Sequence, residues 1–240
     1  MYLVPALLLP ALALASPVAN LDSRSSYIGP PVDQITILSA QSSGNGCPQG
    51  SVSNTLSPDR TVVTFGFDKF QTYIGPSAQQ ADKTKQCQIH LSLQYPGGFQ
   101  YSVVDATYHG WARLDPGVTG TFISSYFFSQ AASQTCSTRS TISGSQWTAG
   151  DIYTKHDSVE STAVIWSPCG ATGILNVNNR IALSSTNSSQ TGELSDDDAT
   201  VAFTHQVHVA WQPCTVPKST TTPNGGTFTV GGAVTEVTQG

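Results

Sequence analysis

Strict alternation of apolar and polar residues in short segments, with no helical period between them, limits what this chain can fold into. The segment 199–211 is the clearest case: Val201, Phe203, Val207, Val209 and Trp211 all fall on one side. Successive side chains of a strand point to opposite faces, so such a run buries one face and wets the other. Segments 34–38, 61–67, 88–95, 101–113, 120–128, 162–166 and 174–183 read in the same way. Pro96-Gly97-Gly98 and Asp115-Pro116-Gly117 separate neighbouring segments, since proline presets φ and glycine permits positive φ. Only 77–85 could form a helical turn or two. Many short strands with no helices between them predict an all-β fold, an antiparallel β-sandwich of jelly-roll or immunoglobulin-like type.

Charged residues make up 10% of the chain, against roughly 25% in an average soluble protein. The net charge is −5 and no run of Lys or Arg occurs, so the basic footprint that nucleic acid requires is missing. Residues 3–15 are apolar and end in Ala13-Leu14-Ala15, the small-x-small pattern of a signal-peptidase site. The stretch contains Pro5 and Pro10 and falls short of the roughly 20 residues a membrane span needs. The expectation is a signal peptide over 1–15, secretion to the extracellular space, and no membrane association after cleavage. An irregular lead-in over 16–33 then precedes one domain over 34–216. The Thr/Gly-rich tail over 217–240 has the composition of a disordered segment.

Export makes the five cysteines, Cys47, Cys87, Cys136, Cys169 and Cys214, readable as a disulfide framework with one thiol left over. Sequence does not fix the connectivity. Pairing in chain order, Cys47–Cys87 and Cys136–Cys169, is the simplest choice. It closes loops of about 30–40 residues, each stabilising by roughly 4 kcal/mol in the chain-entropy model. Cys214 is then the free thiol.

Several short motifs recur in a fixed order: Gly46-Cys47-Pro48-Gln49-Gly50-Ser51, the run 64–70 (TFGFDKF), Gly75-Pro76, Cys87, and Pro96-Gly97-Gly98-Phe99-Gln100-Tyr101. His109-Gly110, Leu114-Asp115, Ser167-Pro168-Cys169-Gly170 and a closing strand into Trp211 and Cys214 follow. In these the chain resembles an uncharacterised secreted family found largely in fungi, domain-of-unknown-function family 4360. The resemblance implies a secreted, disulfide-bonded domain and brings no activity with it. Pro213 departs from the pattern, at a position where a basic residue is expected.

Tyr101, Asp105, His109 and Trp111 occupy alternate positions of one predicted strand. They would present aromatic rings beside a carboxylate and an imidazole, the chemistry with which sandwiches bind sugars. The competing reading turns Tyr101, Val103 and Trp111 into the core. His205 and His208, three apart on a strand, point to opposite faces and cannot share one ion without a bulge. Cleavage after Ala15 leaves no N-terminal histidine of the kind copper polysaccharide monooxygenases require. Asp196-Asp197-Asp198 lacks the spacing of a calcium loop and reads as a solvated turn. Asn187-Ser188-Ser189 is a glycosylation acceptor. No G-x-S-x-G, H-E-x-x-H, phosphate loop or dinucleotide fingerprint occurs, so neither cofactor nor metal is expected. These readings favour a non-catalytic binding or cell-surface module for extracellular polysaccharide or protein. A hydrolase with a carboxylate pair from distant strands is the second reading, and a secreted inhibitor or effector acting on a protein the third.

Overall fold

In the computed structural model, which describes residues 28–170, 172–195 and 203–214, all but one of the alternating segments lie mainly on strands where they are described; Val201 and the rest of 199–202 lie outside the described residues. In chain order these are β1 (Thr36–Ser43), β2 (Val52–Leu56), β3 (Val62–Phe67), β4 (Thr72–Ile74), β5 (Thr84–Gln94) and β6 (Phe99–Leu114). After them come β7 (Val118–Phe128), β8 (Cys136–Ser143), β9 (Asp151–Ser158), β10 (Gly173–Ser185), β11 (Gly192–Ser195) and β12 (Phe203–Pro213). The exception is 162–166: Ser161–Ala163 form a 3-10 turn, and Trp166 makes one isolated bridge to Ser102. The leader, most of the lead-in, the Asp196-Asp197-Asp198 turn and the tail lie outside the described residues.

Antiparallel pairing sorts the strands into a five-stranded sheet, β1-β5-β10-β7-β8, and a seven-stranded sheet, β2-β3-β12-β6-β11-β4, in which β9 also pairs with β6. The two sheets pack as a sandwich. Ile89, Leu91 and Leu93 of β5, with Leu175, Val177 and Ile181 of β10, line one inner face. Phe65 and Phe67 of β3, with Phe203, Val207 and Trp211 of β12, line the other. Period-2 alternation therefore does here what it implies: one side of each strand is removed from water.

A polar network crosses this core. His205 of β12 is fully buried, stacked on Tyr108 with ring centroids 4.7 Å apart. Its Nδ1 accepts from Asn179 Nδ2 at 3.2 Å, which leaves the proton on Nε2 to reach the Tyr126 hydroxyl at 3.1 Å. Ser124 donates to Asn179 Oδ1 and accepts from the Tyr108 hydroxyl at 2.6 Å. Each link joins groups that would cost free energy if buried alone.

The disulfides correct half of the chain-order pairing. Cys47–Cys87 forms as expected, with Cα atoms 5.4 Å apart. Cys136 and Cys169 are not joined. Cys169 pairs with Cys214, Cα atoms 5.8 Å apart, and the free cysteine is Cys136. Topology is the reason, because β12 returns antiparallel along β6 and ends beside that strand's first residues. The Cys214 N–H donates to the Gly98 carbonyl and the Gly170 N–H to the Phe99 carbonyl, bringing both cysteines to one spot. Cys136 opens β8 opposite Tyr126 and is buried. Burial pushes its thiol up to about 11, so thiolate is scarce at neutral pH. Thiol titration at about pH 8 is therefore expected to find no reactive cysteine in the native protein and one after unreduced denaturation. A peptide map joining Cys136 to any partner would contradict the pairing.

Candidate functional site

The four predicted binding residues do not share a face, and the cause is one extra residue in β6. His208 pairs with Asp105 but Val209 pairs with Val103, so Val104 is unmatched and the strand bulges. A bulge reverses the inside–outside phase of everything after it. Before it, Tyr101 and Val103 point into the core; after it, Ala106, Tyr108 and Ala112 do. Tyr101 is packed edge-on against Tyr95 and Phe128, and burial raises its hydroxyl well above the ordinary tyrosine range. It is a core residue. Asp105, His109 and Trp111 lie on the outer face of the seven-stranded sheet.

On that face Asp105 sits between two histidines, with Oδ1 3.6 Å from His208 Nδ1 and 3.9 Å from His156 Nε2. Asp105 Oδ1 and His208 Nε2 are both shielded from water with no hydrogen-bond partner among the described residues. His156 Nδ1 is held by the Thr107 hydroxyl and His109 Nδ1 by that of Thr154, each at 3.0 Å. Trp111 offers less of a stacking platform than its position suggests. The Gly150 turn, at φ 84°, lies so close that a Cβ there would come within 2.4 Å of the indole, and the Arg113 guanidinium lies 6.0 Å from the ring centroid. His205 and His208 point to opposite sides of β12, inward and outward.

The outer face of the five-stranded sheet carries a depression of about 410 Å³ lined by Ser43, Gln86, Gln88, Ile123, Ser125, Asn178 and Arg180. Register places these side chains in rows. Ser43, Gln88, Asn178, Ser125 and Ser137 lie side by side across all five strands, and Gln86, Arg180, Ile123 and Arg139 form the next row. Asn178 Oδ1 is shielded and has no hydrogen-bond partner among the described residues. At the rim Gly44 adopts φ 143°, where a Cβ would lie 2.2 Å from the Gln86 carbonyl oxygen. Glycine lets the chain hug β5 beside the Cys47–Cys87 bridge. A second depression of about 570 Å³, between β1 and the 47–50 turn, shares Ser43 and Gly44 with the first. None of the groove residues was singled out from sequence as a binding residue, although the polar side of 88–95 was legible there and Cys87 was read as a disulfide cysteine.

The family described as "Domain of unknown function (DUF4360)" matches residues 33–214. The chain belongs to the DUF4360 family. An "Uncharacterized secreted protein" of Arthroderma benhamiae is 42% identical to this DUF4360 protein over 186 residues, 78% of this chain and 74% of the relative. The DUF4360 protein is secreted, the localisation expected from its sequence. A solved structure of TmCBM61 in complex with β-1,4-galactotriose overlaps 72% of this chain and 88% of its own at 10% identity, with a TM-score of 0.22. At that score the likeness carries no argument about a ligand.

In the DUF4360 protein the sequon residue Asn187 is exposed in the turn between β10 and β11. Its Oδ1 accepts from the Ser189 N–H at 3.0 Å and the Ser189 hydroxyl at 2.9 Å. Ser189 thus fixes the side chain of Asn187 in an exposed turn.

Proposed function

We propose that this DUF4360 protein is a non-catalytic binding module that takes extracellular polysaccharide on the outer face of its five-stranded sheet. One observation carries the reading: an open groove lined by amides, hydroxyls and a guanidinium, with Asn178 Oδ1 lacking a partner and no carboxyl group in the lining. Planar amides in rows match the alternating hydroxyls of a sugar chain, and Ile123 supplies an apolar patch for its C–H faces. Glycoside hydrolysis by a carboxylate pair needs two acids about 5 to 9.5 Å apart, and this groove supplies neither. Retention of the pure domain on at least one of a panel of fungal, plant and bacterial polysaccharides, without release of reducing ends, is the expected result. Gln88→Ala with Asn178→Ala removes two hydrogen-bonding side chains and should weaken retention about tenfold or more. Retention on none of the polymers would overturn the proposal, and release of reducing ends would favour the hydrolase.

A second reading places the ligand on the seven-stranded sheet at Asp105, His109 and Trp111, supported by the unpartnered Asp105 Oδ1 and His208 Nε2. Asp105→Asn separates the two: it leaves binding unchanged if the groove is the site and abolishes it if this patch is.

A further inference from the structure

We infer that the ligand of this groove is an acidic polysaccharide whose sugar carboxylates are taken by Arg180 and Arg139, an inference that rests on the binding reading above. The chain has 15 acidic residues and a net charge of −5, yet β1, β5, β7, β8 and β10 contain no Asp or Glu. The same five strands carry Lys85, Arg139, Arg180 and His90. The acids of the strands all lie in the other sheet, at Asp105, Asp151, Asp157 and Glu193. One sheet of an acidic protein is thus free of negative charge.

Lys85 is tied to Asp82 at 3.9 Å. Arg139 and Arg180 are exposed and have no ion pair or hydrogen bond among the described residues. They flank Ile123 in one row, two strands apart, so their Cα atoms lie roughly 9–10 Å from each other. Two guanidinium forks at that spacing can each take a carboxylate from separate sugar units of one chain, with bidentate geometry. Ile123 then lies under the intervening ring, and Gln88 and Asn178, in the adjoining row, face its hydroxyls.

The test measures affinity of the intact secreted protein for polygalacturonate, its fully methyl-esterified form, dextran sulfate and poly-glutamate, at low and high salt. Polygalacturonate should bind at least tenfold tighter than the ester, weaken with salt, and lose at least tenfold in R139Q/R180Q at unchanged melting temperature. Equal affinity for acid and ester overturns the acidic-ligand inference and leaves the binding reading standing. Preference for dextran sulfate overturns the carboxylate assignment, and equal binding of poly-glutamate overturns the sugar. Wild-type affinity in R139Q/R180Q overturns the arginine assignment and leaves the groove reading to the Gln88→Ala with Asn178→Ala variant, and retention on no polysaccharide removes both readings together.

Discussion

Lowering the pH from about 7 to about 4 is expected to cost this protein on the order of 3 kcal/mol of folding stability through His205 alone. Burial, and then repulsion from His208, depress the imidazole from its ordinary 6.5 to about 3. The unfolded chain therefore binds a proton between those values that the folded chain refuses. The contribution is complete above about pH 6.5 and is lost as pH falls toward 3, at up to about 1.36 kcal/mol per unit. The native network requires the neutral ring, because Nδ1 must accept from Asn179 while Nε2 donates to Tyr126. Protonating Nδ1 would set two donors against each other inside the core.

Denaturant unfolding of wild type and His205→Phe across that pH range checks this. Phenylalanine keeps a ring against Tyr108 and strips the Asn179 amide and Tyr126 hydroxyl of a partner, so the variant starts about 1–3 kcal/mol lower at pH 7. Its stability should then fall much less steeply between about pH 6.5 and pH 4. Parallel curves for the two proteins would place the titrating group elsewhere.

The fold was legible in the sequence wherever one face of a strand is apolar. β3, β5, β7, β10 and β12 show their burial as simple alternation, and for these the sequence and the structure agree. β8 was not legible, because Cys136 and Ile142 are the only apolar residues in a strand otherwise made of hydroxyls and Arg139, and β9 likewise places Tyr153 alone in the core. The candidate residues of β6 turned out not to share one face for a different reason. Alternation along β6 was counted without a break, whereas the unmatched Val104 shifts the phase by one residue. Nothing local marks that residue; the bulge follows from pairing with β12, a partner a hundred residues later. The groove failed to stand out because it is built from the polar halves of strands whose apolar halves drew attention. Its one sequence signal is the lack of Asp and Glu in five strands, and that is visible only once the strands are assigned to sheets.

Removing the Cys47–Cys87 bridge as Cys47→Ala with Cys87→Ala should destabilise more than any single surface change, and more than removing Cys169–Cys214. Sequence separations of 40 and 45 give nearly equal chain-entropy terms of about 4 kcal/mol each, so environment decides the difference. Cys47 and Cys87 are 0% and 1% exposed, and truncating them adds a cavity cost that the exposed Cys169 does not incur. Buried sulfur is also out of reach of reductant. Mild reduction of the native protein should open Cys169–Cys214 first, leaving Cys47–Cys87 oxidised in a mass-spectrometric map. On the proposed groove reading, the effects on binding divide in the same way. Cys87 lies on β5 beside the groove and its bridge pins the 44–50 turn at the rim, whereas Cys169–Cys214 closes the start of β6. Polysaccharide retention should therefore survive loss of Cys169–Cys214 and fail with loss of Cys47–Cys87 at a temperature where both variants remain folded. Equal retention by the two variants would separate the groove from the bridge.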